Sequence, residues 1–399
     1  MEEIPSLIIR NGTVIDGSGS QRYEADIEIT GSKITHIGES HKKGKCEIDA
    51  SNRIVTPGFV DIHTHYDAQV TWANQITPSS CNGVTTVLMG NCGVGFAPVK
   101  PDQHEMLISL MEGVEDIPEV VLSEGLPWTW ETFSDYLYTL DKRRFDVDVA
   151  TQVPHAALRV YVMGKRGADR EPASAGDRAR MAQLAAEGIK AGAFGFSTSR
   201  LLQHRTAEGE PIPSYGAAEE ELQEIAKAIS KIGRGWLQVV ADFGESQETE
   251  FSMLKRLVEA SGLPLTLTLL QRDSWPNEWS ELLKKIEAAN SEGHVITGQI
   301  RGRPTSTLLG FELSENPFLG CPSWSEVANL DIKSKFKALN DPAFKKRLIN
   351  EPGGTKEQIA RYREWDKIFL LGDPPQYEPV PESSIASIAK RQNASPANV

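Results

Sequence analysis

The stretch Pro57-Gly58-Phe59-Val60-Asp61-Ile62-His63-Thr64-His65-Tyr66-Asp67 decides how the chain is read. Side chains alternate faces along an extended strand. His63 and His65 therefore share a side with Phe59 and Asp61, and Val60 and Ile62 take the other side, which needs an apolar cover. Two imidazoles leaving one side of a strand end are placed to hold one metal ion. A strand end carrying two solvated histidines gives the same pattern, and a lone His-x-His is a weak motif.

On the N-terminal side, residues 1–57 alternate short β-like runs with turn signals. Leu7–Arg10 precedes Asn11-Gly12, a hairpin-turn dipeptide. The alternating run Asp26–Ile29 is followed by a turn at Gly31–Lys33 and by Ile34–Ile37. This predicts a small antiparallel β domain over 1–57.

On the C-terminal side the rhythm changes. Apolar runs of buried type at 59–63, 84–90, 147–153, 193–197, 236–241, 265–270 and 294–299 alternate with helical stretches at 175–189, 219–232, 247–260 and 278–291. Alternating strands and helices predict a parallel sheet with right-handed crossovers, and this number of units predicts an α/β (β/α)8 TIM-like barrel over 58–399. A barrel works at the C-terminal ends of its strands, where His63 and His65 fall. A long irregular insertion is expected at about 300–380, and a helix over 382–391. Ser395-Pro396 reads as the opening of another helix, so strand 8 is expected beyond Val399. An unclosed barrel leaves two strand edges unpaired, and self-association is the expected consequence.

Composition bounds the partners. The chain has 399 residues, 39% apolar and 24% charged, with a formal net charge of -13. That balance fits a globular protein and disfavours nucleic acid or an acidic membrane as a partner. The N-terminus carries two acids and no basic segment, so no signal peptide is read, and no apolar run is long enough to span a bilayer. Cys46, Cys81, Cys92 and Cys321 lack paired spacing, which predicts a reducing cytoplasm and leaves any special cysteine as a ligand or nucleophile.

Met89-Gly90-Asn91-Cys92-Gly93-Val94-Gly95 places Cys92 just after the second barrel strand, beside His63 and His65. A thiolate and two imidazoles suit zinc. A small buried hydrophobe is the plain alternative for a free cysteine. His155 follows the third strand and either faces the pocket or is satisfied by backbone at a loop start. Asp67 either orients a ligand or caps a turn. Ser199, at the end of the fourth strand, is a candidate substrate contact, although such hydroxyls usually satisfy backbone. Arg301 and Arg303, after the seventh strand, offer a carboxylate clamp or, more simply, solvated loop charges. His36, His41, His104, His204 and His294 have no partner of matching spacing and are read as ordinary.

PGFVDIHTHYD and GVTTVLMGNCGVGFAP together resemble the amidohydrolase superfamily, and within it the N-acyl-D-amino-acid deacylase (D-aminoacylase) group. The resemblance continues through 111–116, 154–159 and 192–199 and covers most of the chain. It implies a small β-sandwich, to which 1–57 contributes, around a metal-bearing barrel. It implies His63, His65 and Cys92 as ligands and a histidine at the position of His155, and the absence of histidine from the fifth and sixth strands makes one zinc ion the expectation rather than two. The implied reaction is hydrolysis of a linear C–N amide bond in a small molecule, an N-acyl amino acid. The chain departs from the group in having no histidine on the fifth and sixth strands. The acid-base aspartate of strand 8 is expected beyond Val399. The alternatives are a catalytically incomplete relative that binds without turnover, and a cyclic amidase of the hydantoinase type, which would want a lysine after the fourth strand where 192–199 has none.

Overall fold

The computed structural model describes residues 4–115, 117–206, 209–272, 275–301, 306–313, 315–355, 358–359 and 362–399. The chain divides into two units, Met1–Val240 with Arg256–Leu265, and Ala241–Lys255 with Thr266–Val399.

In the first unit, β1 (Leu7–Val14), β2 (Tyr23–Thr30), β3 (Lys33–Gly38), β4 (Glu47–Asp49) and β5 (Ile54–Val55) form one sheet. β2 lies antiparallel between β1 and β3, whereas β4 and β5 run parallel to β1. The sheet is thus mixed, a correction to the purely antiparallel expectation. Asn11-Gly12 is not a hairpin turn either. Asn11 takes φ 55° and the register slips between Ile9 and Gly12, so the pair forms a bulge inside β1. Asp26 Oδ1 accepts the Asn11 N–H at 2.9 Å, and a Cβ at Gly12 would lie 2.5 Å from Val55 Cγ2. Partners on β2 and β5 decide this conformation. Val14, Ala25 and Ile27 form the buried core of the sheet, with Ile9, Ile29 and Val55 against them.

The strand rhythm beyond Gly58 is found as read, with shorter strands. β6 (Phe59–Asp61), β7 (Val84–Met89) and β8 (Asp148–Thr151) form a parallel sheet. β9 (Val153–Pro154) pairs in parallel with β10 (Phe196–Arg200), and β11 (Leu237–Ala241) follows. Only Gln152 separates β8 from β9. Its N–H bonds Met89 O at 3.0 Å, while the next N–H, of Val153, bonds Gly195 O at 2.8 Å, so consecutive amides serve opposite neighbours. Helices fill the crossovers, and two of them lead into β10 and β11. Ala175–Ala191 opens on a Ser174/Asp177 capping box and buries Met181, Leu184, Ala185 and Ile189. Glu219–Ser230 buries Leu222, Ile225, Ala226 and Ile229. Hydrophobic residues at these spacings form one stripe per helix. The expected apolar cover over Val60 and Ile62 is not found. They are 58% and 47% exposed, because β6 stops at Asp61 and, among the described residues, pairs with β7 alone.

In the second unit, β12 (Leu265–Thr268) and β13 (Ile296–Gln299) flank the helix Glu278–Ser291, and the Leu269 N–H bonds Gln299 O at 2.8 Å. The segment expected to be irregular has a core of its own. Phe318, Cys321, Trp324, Val327 and Leu348 are buried together. The helices Ile332–Asn340 and Pro342–Asn350 open on Asp331 and Asp341, whose carboxylates accept first-turn N–H groups. The expected helix near the C-terminus is Ile385–Gln392, capped by Ser384. Among the described residues no helix is long and apolar enough to cross a membrane, and none of the four cysteines forms a disulfide.

Candidate metal centre

The chain leaves β7 at Met89 into a turn that holds three residues with left-handed backbone: Gly90 (φ 72°), Cys92 (φ 56°) and Gly93 (φ 71°). For Cys92 this region is unfavourable by about 1–3 kcal/mol and persists only where the surroundings impose it. The surroundings do so here. The Cys92 N–H donates to Gln238 Oε1 at 2.9 Å, and the Gly93 N–H donates to Ser197 Oγ at 3.0 Å. Asn91 Nδ2 donates to Leu88 O at 2.9 Å and Thr64 O at 3.2 Å, while Gln152 Nε2 holds Asn91 Oδ1 at 2.9 Å. A Cβ at Gly90 would sit 2.4 Å from Gln152 O, and one at Gly93 would sit 2.9 Å from Thr198 Cα. The turn is therefore wedged between β8–β9 and β10, which aims the Cys92 thiol.

His63 and His65 lie just past β6, not on it, so strand alternation is not what sets their direction. The N–H and the hydroxyl of the intervening Thr64 both donate to Leu88 O, at 3.0 and 2.9 Å. That pair of hydrogen bonds to β7 carries the two rings to the Cys92 turn. His63 Nε2 is 3.2 Å from Cys92 Sγ, and the His63 and His65 ring centroids are 5.4 Å apart, edge to face. One donor atom from each of His63, His65 and Cys92 lies within 4.8 Å of the others. Zinc bonds of about 2.0–2.3 Å to nitrogen and sulfur set tetrahedral neighbours roughly 3.5 Å apart, close to the His63–Cys92 spacing. The donor set and its spacing fit one zinc-like ion. Cys92 is buried and the two histidines are half-buried, so the cluster has an open side.

Two neighbours of the cluster were not singled out in the sequence. Glu115, at the C-terminal end of the helix His104–Glu115, places Oε1 3.3 Å from His65 Nε2. The segment 111–116 showed in the family resemblance without a role, and Asp116 lies outside the described residues. His204, in the loop after β10, shares a 2.9 Å hydrogen bond between its Nδ1 and Ser199 Oγ. Burial, aided by the adjacent charge of His63, pushes His204 down to about 4.

The residues predicted to meet substrate are placed as follows. Ser199 is fully buried and engaged with His204. Asp67 is buried at 2% exposure, and burial pushes its carboxyl up to about 7 against hydrogen bonds from its own and Gly90 backbone. Its carbonyl accepts the Tyr136 hydroxyl at 2.8 Å. His155 is wholly buried, with Nδ1 2.8 Å from Thr198 Oγ1 and Nε2 2.7 Å from Glu221 Oε1. Both of its ring nitrogens are taken, so in this structure it offers none to a substrate. Glu221 also receives Arg159 Nη1 at 2.6 Å, closing a buried triad across the helices that start at His155 and Glu219. Arg301 is exposed, and Arg303 lies outside the described residues.

Parallel strands joined by helices, with a nitrogen-nitrogen-sulfur donor cluster at their C-terminal ends, define an α/β protein with a candidate metal centre. The chain belongs to the Amidohydrolase family, whose match spans residues 47–345. It is 31% identical over 288 residues to the D-aminoacylase of Alcaligenes xylosoxydans xylosoxydans, covering 71% of this chain and 54% of that relative. The crystal structure of D-aminoacylase superposes with a TM-score of 0.61 at 28% identity, over 74% of this chain and 58% of that one. A further D-aminoacylase structure, with the same scores, is described as bearing a binuclear metal centre with one-metal activation and second-metal attenuation. The D-hydantoinase of Ralstonia pickettii is similar over a shorter span, 36% identical over 89 residues, or 21% of this chain. The chain spans about half the length of the curated D-aminoacylase it matches.

Proposed function

We propose that this chain hydrolyses a linear C–N amide bond, removing the acyl group of an N-acyl amino acid, at a centre built from His63, His65 and Cys92. The observation that carries the reading is the convergence of these three donors within 4.8 Å. Zinc suits the set, since thiolate and imidazole are its common ligands. One such cluster supports a single ion, consistent with the one-metal activation described for a D-aminoacylase. When bound, the ion polarises the amide carbonyl and makes water nucleophilic near neutral pH.

The chain's own residues do the rest of the positioning. Thr64 fixes the two histidines on β7, Gln238 and Ser197 fix the Cys92 turn, and Glu115 holds the His65 ring. Asp67 and Ser199 act from behind the cluster, Asp67 through the Gly90 backbone and Ser199 through His204. His155 supports the wall through Thr198. The parallel strands belong to a TIM-like barrel in this reading, with a small molecule as substrate. The short span of the D-hydantoinase similarity, against the long span of the D-aminoacylase one, favours a linear over a cyclic amide.

The test is metal analysis of purified protein together with a panel of N-acyl-D- and N-acyl-L-amino acids, following release of free amine. About one zinc per chain with release from an N-acyl-amino acid is expected. A chain that binds no zinc above background overturns the reading, and zinc without amine release leaves only the binding alternative.

A further inference from the structure

A sheet with one apolar side must bury that side against another layer. The register of the small sheet shows how far one of its sides is apolar. Ile9 on β1 pairs with Ile27 on β2 and with Ile48 on β4, and Ile27 pairs with Ile37 on β3. Directly paired residues share a side, so Ile48, Ile9, Ile27 and Ile37 make one row across the sheet. Leu7, Ile29 and Ile34 make a second row on the same side, two residues along β1 and β2. Neither row carries a charge.

The opposite side is already covered. Arg10 Nη1 donates to Asp26 Oδ2 at 3.1 Å and to Ser40 O at 2.7 Å, and Ser40 Oγ donates to Glu28 Oε1 at 2.6 Å. A Cβ on Gly44 would lie 2.9 Å from Ile8 Cγ1. The loop after β3 thus folds over that side. The apolar side is different. Its buried cluster of Val14, Ala25 and Ile27, with Ile9, Ile29 and Val55 against it, is drawn from the sheet's own strands. On its flanks Ile34, Ile37 and Ile48 are 61%, 44% and 49% exposed. Every other described strand belongs to one of two other sheets, so none is left to form a layer over these rows.

We propose that the apolar side of this sheet is the interface of a homodimer, covered by the same side of a second copy of this chain. Three features select a second copy. Isoleucine stands on both flanks and in the middle, so a copy turned over about either in-plane axis sets apolar rows on apolar rows, as an isologous two-fold contact requires. The rows are neutral, so two chains of formal net charge -13 meet there without like charges in the seam. The area is also sufficient. Four strand positions about 4.8 Å apart, rising about 3.3 Å per residue over strands of up to eight residues, present roughly 500 Å². Two copies remove roughly 1,000 Å² from water, near the lower bound of a specific interface and below the obligate class. The two sheets pack as an aligned sandwich about 10 Å apart, and the dimer dissociates on dilution. This contact is separate from the metal centre and from the open edge of β6, where Val60 is exposed.

Sedimentation velocity and light scattering of the full chain over about 1–100 μM test the proposal, across the range where so small an interface dissociates. Wild type is expected to show a monomer–dimer equilibrium. Ile37→Lys and Ile48→Lys each put a charge into the seam and should weaken dimerisation about 10-fold or more. Both positions are open to solvent in one copy, so both variants should keep the circular dichroism and zinc stoichiometry of wild type. The two lie on opposite flanks, and either carries the test if the other does not fold. Val60→Lys, on the β6 edge, should dimerise like wild type. A chain that stays monomeric throughout the range overturns the proposal. So does a dimer that both isoleucine variants leave intact, or one that Val60→Lys alone breaks.

Discussion

His63 Nε2 and Cys92 Sγ lie 3.2 Å apart although they are 29 positions apart in the chain. The contact exists because β6 and β7 are parallel neighbours and Thr64 clamps the His-x-His segment to Leu88. Cys92→Ala should therefore abolish stoichiometric zinc binding, with an affinity loss beyond the roughly 10–100-fold seen for partners outside the ligand sphere. Zinc bound to the folded state alone stabilises it by about 2.7 kcal/mol at 100 times Kd. Chelation should lower the melting temperature of wild type, zinc should restore it, and neither should move Cys92→Ala. Thermal melts with and without chelator check this. A Cys92→Ala variant that still responds to zinc refutes it.

Gly90 gives a second, purely steric prediction. Its φ of 72° disfavours any L side chain by about 1–2 kcal/mol, and its Cβ would meet Gln152 O at 2.4 Å, a backbone atom that cannot rotate away. Gly262 has a similar φ of 69° with nothing near its missing Cβ, so Gly262→Ala is the matched control. Gly262→Ala should cost about 1 kcal/mol. Gly90→Ala should cost clearly more and also weaken zinc binding, because the strain is relieved by moving the turn that carries Cys92. Urea denaturation of the two variants, with zinc competition, measures both effects.

What could be read before the structure depended on how local the controlling interactions are. The strand rhythm was legible from spacing, and the nearness of Cys92 to the His-x-His pair from the neighbour rule of parallel strands, but the direction of the two rings was not, because Thr64 on Leu88 sets it rather than strand alternation. Asn11-Gly12 was misread because Asp26 and Val55, well separated in sequence, turn a hairpin signal into a bulge. His155 follows a strand, which left both a pocket role and a backbone partner open, and it is Thr198 and Glu221, 43 and 66 positions away, that claim its two nitrogens. His204 has no histidine at ligand spacing, and only Ser199 on β10 reveals where it is held. Single residues that reach a site from a helix end or a loop carry no periodic signal, and Glu115 is of that kind.

Glu115 leads to a third prediction. Its carboxylate stands 3.3 Å from His65 Nε2 with both side chains mostly sheltered, so it fixes the orientation of the ring. Glu115→Ala should weaken zinc about 10-fold or more without changing the stoichiometry, and Glu115→Gln, which can still hydrogen-bond the ring, should lose less. Zinc competition distinguishes the two. Equal affinity in both variants and wild type would mean that the carboxylate does not act on His65.

The triad His155–Glu221–Arg159 sets the acid limb of stability. Burial opposes ionisation of Glu221, but the hydrogen bond and charge of His155 and the charge of Arg159 outweigh it and hold the carboxyl down at about 2. A carboxyl depressed from its ordinary value of 4.5 stabilises the fold at higher pH, by about 3 kcal/mol, and loses that contribution as the pH falls from 4.5 toward 2. Burial lowers the affinity of His155 for a proton, which outweighs its bond to Glu221. The unfolded chain then takes up that proton first below 6.5, so this group also favours unfolding as the pH falls. The two effects have the same sign but different onsets. The triad's own contribution, read as the difference between wild type and its variants, should decline from about pH 6.5 downward and more steeply below 4.5, while Asp67, held up at about 7, works in the opposite sense between pH 7 and 3.8. His155→Gln should remove the triad's upper onset and weaken the lower one, because the hydrogen bond and charge that help hold Glu221 down go with it. Glu221→Gln should lose about 3–5 kcal/mol already at pH 7, because it leaves Arg159 charged and buried without its carboxylate, and should then be less sensitive between pH 4.5 and 3. Urea denaturation at pH 7, 5.5, 4 and 3 resolves the two limbs, and an unchanged lower limb in Glu221→Gln would assign the acid sensitivity to other carboxylates.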